Sequence, residues 1–156
     1  MSATRELDAT FDASRRSWVG SANDPGSDFP LQNLPLGMFA RRPGGGRGAE
    51  LGVAIGDRIL SLQACAERGL LTGSIGKVLT PIALEDNALG RVMQLGRDAA
   101  TELRTALAEL LDDGNASAAR LADEITVPQR DVRMQLPLRI GNYTDFYASI
   151  HHATHV

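Results

Sequence analysis

Residues 50–62, ELGVAIGDRILSL, leave this chain little choice about how its core begins. Leu51, Val53 and Ile55 alternate with small or polar positions, and Ile59, Leu60 and Leu62 resume the apolar pattern after Gly56-Asp57. Alternation of period two buries one face of a strand, and a Gly-Asp pair suits the tight turn that sends the next strand back antiparallel. The stretch predicts a small β-hairpin.

The flanking sequence reads as mixed structure. Pro25, Pro30 and Pro35 within residues 21–35 each push the preceding residue away from the α region, so extended, turn-rich chain is expected there. Leu36, Met38 and Phe39 continue as a short strand, and RRPGGGRG (Arg41–Gly48) reads as a loop, without the Lys-Ser/Thr of a phosphate cradle. QACAERGL reads as a short helix stopped by Gly69, and TPIALEDNALGRVMQLG as one or two helical turns punctuated by Pro81, Gly90 and Gly96. From Arg97 to Leu111, the residues Ala99, Leu103, Ala106, Leu107, Leu110 and Leu111 recur three and four apart, the stripe of an amphipathic helix. Pro128 and Pro137 bracket a segment with room for a strand. The order of these signals predicts an α+β chain.

Composition narrows the function classes. The chain has 156 residues, 43% hydrophobic and 22% charged, enough for one domain with a real core, and its formal charge of −3 with scattered basic residues gives no footprint for nucleic acid. No apolar run is long enough for a membrane span, and the start, MSATRELDATFDASRR, lacks a signal peptide's apolar stretch. The single cysteine, Cys65, leaves no internal disulfide and reads as a small buried apolar residue. These features lead to the expectation of a cytoplasmic protein with a mobile leader at residues 1–16.

Chemistry gathers in IGNYTDFYASIHHATHV (Ile140–Val156). Asp145 is an oxygen ligand suited to Ca²⁺ or Mg²⁺, though such ions need further ligands. His151 and His155 share one face if the stretch is helical, a spacing that zinc sites use. His152 can serve as an acid or base near neutral pH. In an extended strand Tyr143, Asp145 and Tyr147 would all point the same way.

DFPLQNLPLGMF (Asp28–Phe39), GVAIGDRILSL (Gly52–Leu62) and IGNYTDFYASIHHAT (Ile140–Thr154) resemble, in this order, the amino-terminal third of fumarylacetoacetase. SWVGSAN and the helix MQLGRDAATELRTALAELL are similar to the same family in matching places. The resemblance implies a metal-dependent homodimeric hydrolase that cleaves a carbon-carbon bond of 4-fumarylacetoacetate, giving fumarate and acetoacetate in tyrosine and phenylalanine breakdown. It implies a mainly β architecture: a small SH3-like barrel with helices over residues 17–137, then the first strand of a truncated β-rich catalytic domain over residues 138–156.

Residue by residue, the resemblance implies that Asp145 is a ligand of the Ca²⁺ or Mg²⁺, Tyr147 a substrate-contacting phenol and His152 the general base. The carboxylate that orients the histidine, the other acidic ligands and the basic residues that hold the diketo acid substrate all lie downstream of this motif in the family. His155 departs from the family's usual Asn. The resulting expectation is an amino-terminal fragment, inactive by itself, with homodimer formation at full length. The alternatives are a non-catalytic binding module that keeps the barrel, and a small metal-binding protein using Asp145 and the three histidines.

Overall fold

The computed structural model describes residues 8–42, 48–138 and 140–156. Strand β1 (Leu36–Arg41) pairs with β2 (Glu50–Ile55), which turns at Gly56-Asp57 into β3 (Arg58–Ser61) as the hairpin pattern requires. Gly56 has φ of 53°, and a Cβ there would come within 2.3 Å of Ser21 Oγ, so both the backbone and the space demand glycine. β4 (Thr126–Pro128) extends the sheet beside β3 and β5 (Val132–Gln135) beside β1, giving the all-antiparallel order β4-β3-β2-β1-β5. Most of RRPGGGRG, residues 43–47, lies outside the described residues.

β4 and β5 are opposite edges of this sheet, yet only the 3-10 helix Gln129–Asp131 joins them. Four flat strand spacings would separate the edges by roughly 19 Å, whereas three residues of 3-10 helix advance about 6 Å. The sheet must therefore curl until its edges approach. No ladder joins β4 to β5 among the described residues, so the expected closed barrel is here an open, curled sheet.

The expected mainly β character is also corrected: helices occupy more of the described chain than strands do. They are α1 (Leu62–Glu67), α2 (Gly73–Ile82), α3 (Ala88–Gln94), α4 (Gly96–Leu110), α5 (Ala116–Ala119), α6 (Ala122–Ile125) and α7 (Ile150–His155). Gly69, at φ 67°, follows α1, and the leucine stripe of α4 is buried at Leu103, Leu107 and Leu110. The element that sequence reading shortened most is α2, which begins eight residues before Pro81. Its core-facing Ile75, Leu79 and Ile82 hold helical spacing that the two glycines of GSIGKVLTPI obscure.

The two faces of the curled sheet carry two cores. On one, Leu51, Val53, Ile55, Leu60 and Met38 pack with residues of α1 to α4 in the main hydrophobic cluster. On the other, Phe39, Ile59, Val127 and Val132 form a smaller cluster inside the curl. Paired strand residues point to the same side, so the register Phe39↔Glu50, Ala54↔Ile59, Ile59↔Val127 and Arg41↔Val132 places these four, with Glu50, on that inner face.

Part of the expected leader is tied to the body. The Arg104 guanidinium of α4 lies 4.0 Å over the Phe11 ring, its Nε donates to Thr10 Oγ1 at 2.7 Å, and its Nη2 donates to the Gln32 carbonyl at 2.6 Å. Arg15 reaches Asp112 just past α4, with Nη2 to Oδ2 at 2.8 Å. Residues 1–7 lie outside the described residues.

Candidate functional site

The polypeptide leaves the sheet through β5, and from there its apolar side chains lose their cover. Leu136, Ile140, Tyr143, Phe146 and Ile150 are all more than two-thirds exposed. Residues 140–148 belong to no strand or helix, so the expected strand presenting Tyr143, Asp145 and Tyr147 on one face is not formed. A strand is held by hydrogen bonds to a neighbour, and none of the five described strands pairs with this stretch.

Order returns at Ser149. Its backbone is extended (φ −154°, ψ 160°), and its Oγ accepts a hydrogen bond from the His152 N–H at 3.2 Å, the N-cap of helix α7. Side chains in the first turn of a helix lean back toward its amino end. His152 accordingly leans over the chain before the cap, where its imidazole meets the Tyr147 ring at a centroid distance of 5.3 Å and an interplanar angle of 78°. Of the three imidazoles, His152 is the one in ring contact with a tyrosine among the described residues. His155 turns its Nδ1 to the His151 carbonyl at 2.8 Å, one helical turn back.

Asp145 lies four residues before the cap, on exposed chain. Among the described residues, no three His, Cys, Asp or Glu side chains gather closely enough to hold a metal ion. The donors of the described residues do not by themselves fit a Ca²⁺ or Mg²⁺ ion, which takes several oxygens. Nor do His151, His152, His155 and Asp145 form a zinc cluster.

Sequence reading missed a second concavity. The inner face of the curled sheet opens into an apolar trough of about 340 Å³, with Phe29, Leu36, Phe39, Ile59, Val132 and Met134 on its walls. Two glycines face each other across β1 and β2, Gly37 opposite Gly52, and that pair was the available signal, because glycine within a strand marks close approach or missing side-chain volume. At one end of this face Glu50 is buried, accepting from Ser61 Oγ at 2.6 Å and from Arg41 Nε at 2.9 Å. Cys65 is buried on the helix side, where burial pushes its thiol from 9.0 up to about 12, consistent with a packing role. No helix among the described residues is long and apolar enough to cross a membrane.

Comparison with known proteins identifies the family. A family model described as "Fumarylacetoacetase N-terminal" matches residues 32–137, from the loop before β1 to the end of the sheet. Fumarylacetoacetase of Caenorhabditis elegans is 42% identical over 133 residues, 83% of this chain and 31% of that protein. The Bos taurus fumarylacetoacetase is 42% identical and the Homo sapiens one 39% identical, each over 146 residues, 90% of this chain and 32% of theirs. The chain thus spans about a third of the length of the curated relatives it matches. With the sequence of the sheet and of most of its helices matched, the chain belongs to the fumarylacetoacetase N-terminal family.

Proposed function

We propose that this chain is the amino-terminal part of a fumarylacetoacetase-type hydrolase. In this reading the enzyme cleaves the carbon-carbon bond of 4-fumarylacetoacetate to give fumarate and acetoacetate, as a cytoplasmic homodimer. Residues 17–137 form the first domain, built on the curled sheet and its helices, and residues 138–156 carry the leading edge of the active site. The observation that supports the reading most is the contact between Tyr147 and His152, two of the three side chains the family resemblance singles out, in a chain of that family.

His152 takes a proton from the attacking water, whose oxygen then bonds to the carbonyl carbon of the scissile bond. An imidazole is suited to this because it exchanges protons near neutral pH. Tyr147 packs against the imidazole, fixing its direction, and its phenol contacts the substrate. Asp145 would supply one oxygen toward a Ca²⁺ or Mg²⁺ ion, which when bound would polarise the substrate's diketo oxygens. The acetoacetate half leaves as its carbanion equivalent, which takes up the proton that His152 removed from water.

A second reading, a binding module without catalysis, draws its support from the apolar trough, whose walls include no residue of the terminal motif among the described residues. Turnover of 4-fumarylacetoacetate by a protein carrying this chain at the amino end of a relative-length sequence separates the two. The enzyme reading expects Asp145→Ala and His152→Ala to abolish it. Unchanged turnover in both would overturn the assignments.

A further inference from the structure

We propose that Ser149 is a positioning residue for His152, setting through its helix cap the ring contact with Tyr147 on which the candidate site depends. The inference deepens the proposed function and rests on it for its meaning, but its geometry stands independently.

Three observations carry it. Residues 140–148 have no ladder or helix to hold them, so α7 is the only regular element that organises the candidate side chains among the described residues. The helix has six residues, none of them buried, so no packing fixes where it starts. Isolated helices this short are unstable in water, and the capping bond selects the first residue. That bond runs from the His152 N–H itself to Ser149 Oγ at 3.2 Å.

The geometry then follows. With Ser149 as N-cap, His152 is the third helical residue, and its side chain leans back over the residues preceding the cap. Tyr147, two residues before the cap, receives it at 5.3 Å. Starting the helix one residue later would turn His152 by about 100° around the axis and break the contact. The same cap turns His151 to another side, so a serine three residues upstream decides which of two adjacent histidines meets the tyrosine.

The test uses the 156-residue chain labelled for NMR, reading the hydrogen-exchange rate of the His152 amide and the ring-current displacement of its imidazole protons. Ser149→Ala is expected to raise the exchange rate by up to about fivefold, the full effect of losing a typical N-cap. It should also move the imidazole protons toward their random-coil shifts. Ser149→Asn and Ser149→Asp, which can cap, should restore both, a rescue that loss of an ordinary surface contact would not show. Tyr147→Ala should remove the ring-current displacement and leave the amide protected.

Unchanged exchange and shifts in Ser149→Ala would overturn the proposal. So would failure of both capping substitutions to rescue, or an unprotected His152 amide in the unsubstituted chain. Turnover unaffected by His152→Gln in a relative-length enzyme would instead overturn the functional reading, and the two failures are separately visible.

Discussion

Tyr147 and His152 meet ring to ring, with centroids 5.3 Å apart and planes at 78°, although both lie on chain that no part of the sheet supports. The phenol and the imidazole should therefore fail differently when altered. In a relative-length enzyme, His152→Ala should lower kcat by about 10²- to 10⁴-fold, the usual loss on removing a general base. Tyr147→Phe keeps the ring contact and removes the hydroxyl, so KM should rise more than kcat falls. Steady-state kinetics check the split, and a larger kcat loss for Tyr147→Phe than for His152→Ala would reverse the roles.

Among the described residues, the buried Glu50 carboxylate has two side-chain partners. Arg41 Nε donates to Oε1 at 2.9 Å, and Ser61 Oγ donates to Oε2 at 2.6 Å while accepting from the Ala64 N–H that begins α1. Arg41→Ala removes one of the two partners that the described residues give this buried charge, and should cost about 1–3 kcal/mol. The low end is favoured because the Arg41 side chain is 30% exposed and water can replace part of it. Ser61→Ala removes both a carboxylate partner and a helix cap and should cost at least as much. Denaturant midpoints should fall with unchanged slope; midpoints equal to the parent's would show that Glu50 needs neither partner.

Close packing on the inner face gives a coupling test. A Cβ on Gly52 would come 2.5 Å from Ile59 Cγ2 and 2.7 Å from Phe39 Cε1. Gly52→Ala should destabilise by about 1–3 kcal/mol through overpacking, and Ile59→Ala by about 2–5 kcal/mol through the cavity it leaves. The double substitution should lose less than the sum, because the new methyl enters the space the isoleucine vacates. Strict additivity would mean that the two positions do not touch.

Acid should loosen the amino-terminal strap. The Arg15 guanidinium, then the Gly114 N–H, hold the Asp112 carboxyl below its ordinary 3.8. A carboxylate depressed in the folded state contributes stability above its unfolded pKa, about 3.9, and that contribution disappears as pH falls through the lower folded value. The pair is part-buried, still open to solvent on one side, so its worth is about 1 kcal/mol at neutral pH. Asp112→Asn should flatten this part of the acid limb below about pH 4. An identical pH-stability curve would remove the pair from the account.

What the sequence made legible was periodic. The β2–β3 hairpin and the stripe of α4 follow from spacing alone, because each buries one face against a single core. The far edges of the sheet did not follow: β4 and β5 are three and four residues long, and their places depend on contacts 65 or more residues away in sequence. Helix α2 was hidden by its glycines. In the tail, residue types named Asp145, Tyr147 and His152 through the family resemblance, but Ser149 was passed over, since a capping serine shows its role only once the helix start is known. The trough was invisible because its depth comes from the curl of the sheet.

The most direct measurement compares hydrolysis of 4-fumarylacetoacetate by the 156-residue chain with that by a protein in which the same chain is continued to the length of its relatives. The account predicts loss of substrate absorbance at the rate of an ordinary enzyme for the longer protein, and no loss above background for the chain alone, whose described residues hold no metal cluster. Turnover by the 156-residue chain at a rate comparable with the longer protein would contradict it.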